Sequence, residues 1–322
     1  MLSDKHELTV CFAHVAYRFA ERLALRETEL RHFEVRTRDE LDARIGEADV
    51  LVVSGLWRDE LIERAARLRF IQSISAGVDQ YGKAALEAKG IRLASAQGAN
   101  ARAVAEHAMA LILALARRLP EARDNQSLGV WRGMIGDLTQ REDELGGKTL
   151  LIVGIGRIGQ ALARLAKAFD MRVIGVRRDP TAGANGADEV YAISALPTLL
   201  PRADVVALTC PLTPETENLI GPAALAAMKP SAFLVNTARG RCLDEAALLA
   251  ALGAGRIAGA ALDVARDEPL APDSALWGAH NLLITPHTGG ETRRYEDNVL
   301  DIMFDNLDRL WRGETTLRNQ VI

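Results

Sequence analysis

The sequence predicts an α/β protein built from two doubly wound parallel sheets, and three observations carry that expectation. Residues 150–153 form an unbroken Leu and β-branched run that opens directly into Gly154-x-Gly156-x-x-Gly159. Such a run has no polar side to give to water, so it reads as a strand buried on both faces. Ile158, Leu162, Leu165 and Phe169 then recur at helical spacing, and similar strand-like runs alternate with helical patterns through both halves of the chain.

A length of 322 residues accommodates two domains, each with its own core. With 48% apolar and 25% charged residues the composition is that of a globular protein. The net charge of −4 shows no basic excess and argues against a nucleic-acid partner. No apolar run reaches membrane-spanning length, and the start, Met-Leu-Ser-Asp-Lys-His-Glu, has neither the basic end nor the apolar stretch of a signal peptide. A cytoplasmic protein is expected. Cys11, Cys210 and Cys242 are few, odd in number and far apart, which points to reduced thiols and to neither a disulfide frame nor a metal site.

In chain order, residues 8–13 read as a strand and the charged, Leu-punctuated segment to about Arg31 as a helix. Residues 40–45 read as helix, 49–53 as strand, 59–68 as helix and 70–75 as strand; the strand at 91–95 closes the first unit. Ligands of such sheets lie beyond the carboxyl ends of strands. Gly55-Leu-Trp57 and Ser75-Ala-Gly-Val78 fall there: Leu56 and Trp57 are candidates for shaping a pocket. The backbone N–H groups of Ala76 and Gly77 either hold a small carboxylate or form a plain turn. Residues 100–119, closed by Pro120, are apolar almost all round and need cover on more than one side, at a domain junction or a subunit interface. His107 on this helix has no second metal-type residue at a useful offset and reads as a packed helical histidine. The polar stretch 124–147, with Trp131 inside it, reads as a surface arm that clasps a neighbouring subunit.

The second unit starts at the glycine loop. A strand that turns at once into a helix aims unpaired N–H groups and the positive helix end at whatever lies over the turn, which suits a pyrophosphate. Gly154 serves the tight turn, Gly156 the close approach of phosphate, and Gly159 the packing of helix on strand. A second strand, 171–176, ends about 20 residues on, where such folds meet an adenosine ribose. This half is therefore expected to be a Rossmann dinucleotide-binding domain. Further strands are read at 204–211, 232–238, 259–264 and 281–286, with helix at 244–252, and a long amphipathic helix from Glu291 returns to the first unit.

Arg239, Glu268 and His287 lie just past three of these strands, and parallel strands put their carboxyl ends together. Reduction of a 2-oxo acid by a nicotinamide cofactor builds negative charge on the carbonyl oxygen, where a proton must be supplied. His287 has the side chain whose ordinary titration lies nearest neutrality, so it suits the acid in reduction and the base in oxidation. A carboxylate on its other ring nitrogen fixes the tautomer, a role that fits Glu268. Arg239 offers a permanent, planar, two-pronged donor for the substrate carboxylate. Singly, Glu268 reads equally as the residue before a Pro turn and Arg239 as a surface charge.

The whole chain resembles the D-isomer-specific 2-hydroxyacid dehydrogenase family. The resemblance rests on Ser75-Ala-Gly-Val-Asp79, Gly154-Ile-Gly-Arg-Ile-Gly159, Pro211-Leu-Thr-Pro-Glu-Thr216, Asn236-Thr-Ala-Arg-Gly240, Leu262-Asp-Val264 with Glu268-Pro269, and Pro286-His287, in that order. It implies that Arg239, Glu268 and His287 are the catalytic Arg, Glu and His, with substrate bound by Ala76, Gly77, Arg239, Leu56 and Trp57. It implies a dinucleotide held by Gly154, Gly156, Arg157, Ile158, Gly159, Arg177, Arg178, Cys210, Pro211, Thr216, Thr237, Ala238, Asp263, His287 and Gly289, with Asp263 near the nicotinamide. The implied architecture is a dinucleotide domain, 101–286, inserted in a flavodoxin-like substrate domain, 1–100 and 287–322, in a homodimer. The sequence departs from the family near Ala265 and at Thr288-Gly289. The Ala105-Glu-His107 segment resembles the formate dehydrogenase branch, but that branch carries Gln where Glu268 stands. No regulatory domain follows Ile322, which argues against a phosphoglycerate dehydrogenase.

An NAD site places Asp or Glu at the end of the second strand, to bond the ribose hydroxyls. Here Arg177 and Arg178 occupy that place, and paired guanidiniums suit a 2′-phosphate. NADP(H) is therefore expected over NAD(H), unless the strand runs on to Asp179. The expected activity is reduction of glyoxylate or hydroxypyruvate to a D-2-hydroxy acid. The alternatives are a dinucleotide-sensing corepressor on the same scaffold, or an enzyme for a bulkier 2-hydroxy acid, phosphoglycerate or phosphite.

Overall fold

The computed structural model describes residues 6–322. Residues 1–5, part of the stretch on which the absence of a signal peptide was argued, lie outside the described residues. The chain forms two compact units, Met1–Asn100 with Thr292–Ile322 and Ala101–Glu291.

The first unit holds β1 (Thr9–Ala13), α1 (Phe19–Ala24), β2 (Arg31–Val35), α2 (Arg38–Arg44), β3 (Val50–Val53), β4 (Phe70–Ser73), α3 (Lys83–Ala88) and β5 (Arg92–Ala94). Its five strands are parallel in the order β2-β1-β3-β4-β5, the flavodoxin-like winding. Alternate residues divide between two cores, as the period of a strand requires. Val10, Phe12, Val50 and Val52 face one; Cys11, Ala13, Leu51 and Val53 face the other. Two expectations are corrected. The charged segment expected to be helix as far as Arg31 keeps only α1 helical and turns into β2. Residues 59–68 give only a 3₁₀ stretch, Asp59–Glu63.

The second unit runs through α4 (Ala101–Ala116), α5 (Leu119–Leu128), β6 (Thr149–Val153), α6 (Arg157–Ala168), β7 (Arg172–Arg177), β8 (Glu189–Ala192), α7 (Leu196–Leu199), β9 (Val205–Leu208), α8 (Pro222–Ala227), β10 (Phe233–Asn236), α9 (Glu245–Gly253), β11 (Gly259–Leu262) and β12 (Leu282–Ile284). Its seven parallel strands lie in the order β12-β11-β10-β9-β6-β7-β8. This is the Rossmann winding, with a topological switch between β6 and β9. Both faces are covered, which explains the apolar strands. Leu150 and Ile152 pack with Ala105, Ala108 and Ile112 of α4 and Leu162 of α6, while Leu151 and Val153 pack with Leu196, Leu225 and Leu248 on the other side. Pro120 does follow α4, but it also sits in the first turn of α5, where its missing N–H costs no helical bond.

The chain then returns to the first unit in α10 (Tyr295–Trp311), whose Val299, Leu300, Met303 and Leu307 complete the core that Val10 and Phe12 began. The Tyr295 hydroxyl donates to the carbonyl of Ile74, and the Asn306 amide to Gln72. The tail adds an antiparallel bridge, Gln320 to Ala94, beside β5. Among the described residues no helix is long and apolar enough to cross a membrane.

Candidate active site

The carboxyl edge of the seven-stranded sheet is level. Ile284, Leu262, Asn236, Leu208, Val153 and Val176 are partners in register across six neighbouring strands. The residues that come next, Thr285, Asp263, Thr237, Thr209 and Gly154, therefore begin their loops at one height, level with Arg177, the last residue of β7. This geometry gathers groups that the chain separates by more than a hundred positions.

Gly154 has φ of +103°, open to glycine alone at little cost, and a Cβ there would lie 2.5 Å from the backbone N of Cys210. A Cβ at Gly159 would lie 2.7 Å from the Gly154 carbonyl oxygen, so this glycine lets α6 settle on its own strand. At Gly156 a Cβ would meet nothing within 4 Å. The space above the turn is open, and the first turn of α6 carries neither a side-chain cap nor an acidic residue. Its leading N–H groups thus suit the pyrophosphate of a dinucleotide. Cys210 and Pro211 follow β9, where the Thr216 hydroxyl donates to the Pro211 carbonyl at 2.7 Å and closes the loop. Thr237 and Ala238 follow β10 and are buried.

Buried Asn236 builds the turn that carries Arg239: its amide donates to the Arg239 carbonyl at 3.1 Å, and its oxygen accepts the Ala238 N–H at 3.0 Å. The Arg239 guanidinium is exposed, one arm on the Ala238 carbonyl at 2.7 Å. Gly240 lies flat on the next loop, since a Cβ there would be 1.9 Å from the carbonyl carbon of Ala265. That loop carries Glu268, whose Oε1 accepts the Ala265 N–H at 3.0 Å and whose Oε2 stands 2.6 Å from Nδ1 of His287. A carboxylate only accepts, so Nδ1 holds the proton and Nε2 lies outside this pair. The two side chains are 38% and 48% exposed, open to a reactant.

β7 stops at Arg177, which corrects the alternative of a strand running on to Asp179. The Arg177 guanidinium bonds the carbonyls of Ala182 and Gly183 at 3.1 and 3.2 Å. Arg178 is exposed; the Thr213 hydroxyl first, and the Arg178 charge only as a lesser contribution, hold the Glu215 carboxyl below its ordinary range. Asp179 takes the hydroxyl and N–H of Thr181, which hold its carboxyl below the ordinary range. In the first unit Ala76 is exposed and Gly77 half-buried beyond β4. Leu56 and Trp57 are 7% and 4% exposed, packed in the core, with the indole N–H fixed on Asp59 at 2.9 Å. Apolar side chains at a strand end bury themselves rather than stand open.

The family model described as "D-isomer specific 2-hydroxyacid dehydrogenase, NAD binding domain" matches residues 109–289. The chain belongs to the D-isomer specific 2-hydroxyacid dehydrogenase family. The matched segment spans the glycine loop and all three candidate catalytic residues. The chain is 40% identical to D-3-phosphoglycerate dehydrogenase of Methanocaldococcus jannaschii over 86% of its own length, but spans only 52% of that relative. It is 38% identical to glyoxylate/hydroxypyruvate reductase B of Yersinia enterocolitica, covering 86% of this chain and 85% of the relative. A family protein of Aeromonas salmonicida subsp. salmonicida superposes with a TM-score of 0.85 at 32% identity, over 98% of this chain and 99% of that one.

Sequence reasoning missed one cluster of this family member. His107 is not merely packed: its Nε2 lies 2.9 Å from Thr285 Oγ1, which in turn donates to buried Asp263 at 2.7 Å. The sequence shows only a His on α4 and an Asp and a Thr just past two strands, with nothing local to link them.

Proposed function

We propose that the protein reduces small 2-oxo acids, with glyoxylate and hydroxypyruvate as substrates, D-2-hydroxy acids as products and NADPH as the preferred coenzyme. The bond between Glu268 and Nδ1 of His287, on the edge shared with the glycine loop, carries this reading. A bound nicotinamide supplies the hydride. Nε2 of His287 gives a proton to the carbonyl oxygen as charge grows there. Glu268 holds the ring in the required tautomer and stabilises its charged form. Arg239 takes the substrate carboxylate and polarises the carbonyl. The reductase named among the relatives supports the substrate class, and the end of β7 at Arg177 supports the coenzyme preference.

The test is kcat/KM for glyoxylate and hydroxypyruvate with each coenzyme, and for 3-phosphoglycerate oxidation with NAD. We expect NADPH to lead by about tenfold or more, and Arg177→Asp with Arg178→Ala to reverse the order. A clear NADH advantage in the parent sinks the arginine argument. The phosphoglycerate dehydrogenase relative favours a second reading, which faster turnover of 3-phosphoglycerate would establish.

A homodimer is part of the proposal. Leu128, Val130, Trp131 and Leu138 stand exposed along the arm after α4, Trp131 at 97%, and bare apolar groups in such number suit a partner surface. Three free, buried thiols suit a reducing cytoplasm.

A further inference from the structure

Asp263 is 3% exposed, a buried carboxylate whose oxygens are occupied by the protein itself. Oδ1 accepts the Thr285 hydroxyl at 2.7 Å and the Thr288 N–H at 3.1 Å, and Oδ2 accepts the Gly289 N–H at 3.0 Å. Nε2 of His107, on α4, lies 2.9 Å from Thr285 Oγ1 and 3.3 Å from Asp263 Oδ1. A threonine hydroxyl has a single proton. Thr285 gives it to the carboxylate, so in its contact with His107 it accepts, and Nε2 of His107 is the donor. A directed chain follows, from His107 through Thr285 to Asp263.

The amides at the end of this chain belong to the two residues directly after His287. His287 itself has φ of +56°, in the left-handed region that a side chain with a Cβ rarely enters. Something must hold it there. At Gly289 a Cβ would lie 2.7 Å from Asp263 Oδ2 and 3.0 Å from Cδ2 of His107, so the backbone after His287 is pressed onto this cluster. Strain at a working residue persists where its surroundings over-determine it, and here three donors on one buried carboxylate do so.

We propose that His107 and Thr285 are positioning residues: they orient the Asp263 carboxylate, which pins Thr288 and Gly289 and so keeps His287 in the conformation that meets Glu268. The proposal rests on His287 as the proton carrier. Neither His107 nor Thr285 touches the reacting atoms. Their influence passes entirely through the backbone of residues 287–289.

The test uses the full chain with His107→Ala, His107→Gln and Thr285→Val, and two readouts. The first is amide hydrogen exchange at Thr288 and Gly289 without added dinucleotide. The second is steady-state kinetics with glyoxylate. His107→Ala and Thr285→Val are expected to speed exchange at these two amides about tenfold or more, and to lower kcat about 10- to 100-fold, as loss of a supporting hydrogen bond does elsewhere. KM for the 2-oxo acid should stay within about twofold. His107→Gln, whose side-chain N–H can still donate to Thr285, should restore both. Unchanged exchange in the first two variants overturns the proposal, as does a Gln variant no better than Ala. Should His107→Ala fail to fold, the near-isosteric Thr285→Val decides alone. Full turnover by His287→Ala would refute the proton-carrier reading separately, leaving the exchange result to stand.

Discussion

His287 occupies a backbone conformation that costs a residue with a Cβ about 1–2 kcal/mol, and it gains a carboxylate partner there. Replacing it with Ala is expected to lower kcat about 10²- to 10⁴-fold, the usual share of a positioned proton donor. Dinucleotide affinity by fluorescence titration should fall far less than kcat, since the glycine loop suited to the pyrophosphate is untouched. Glu268→Gln keeps an acceptor but loses the charge, so its kcat should fall between parent and His287→Ala; a loss as deep as that of His287→Ala would mean the acceptor alone does not hold the ring. The pairing of Glu268 with His287 was legible in the sequence because both stand in loops beyond strand ends, and parallel topology brings strand ends together. The link from His107 to Asp263 was not. It depends on where α4 lies along the sheet, which no local pattern encodes.

Among elements, the legible ones were those buried on both sides. β6 and β9 are four or more apolar residues in a row, whereas β2 and β8 lie at sheet edges and carry charge on partly exposed faces. Neither edge strand was anticipated, because half of each belongs to water. β8 shows how such an edge is secured. On it the Tyr191 hydroxyl, then the Arg202 and Arg172 guanidiniums, hold Glu189 at about 2, below its ordinary 4.5. Since the folded value is depressed, the stabilisation is fully present above pH 4.5 and fades as pH falls toward 2. The stability gap between parent and Glu189→Gln, from urea unfolding, is therefore expected to be constant from about pH 5 to 7 and to close on acidification. The group is near the surface, so the gap should be small and should shrink with salt. A gap that widens toward low pH would contradict the assignment.

For the whole molecule, the arm and the divided first unit matter most. If the arm clasps a second copy, Trp131→Glu with Val130→Glu should yield monomers in sedimentation equilibrium at micromolar concentration, where the parent sediments as a dimer. A monomeric parent would refute the clasp. The first unit draws its core from both ends of the chain, Leu8 to Ala99 from one and Tyr295 to Leu317 from the other. On the ribosome these arrive far apart in time. At about 5–20 residues per second, the stretch between Asn100 and Thr292 takes roughly ten to forty seconds to emerge. Through that interval the earliest-made sheet waits with one greasy face uncovered, while the segment synthesised after it already has everything needed to settle. The part born first thus matures last, and nascent chains of this protein should engage holding chaperones through their opening hundred residues.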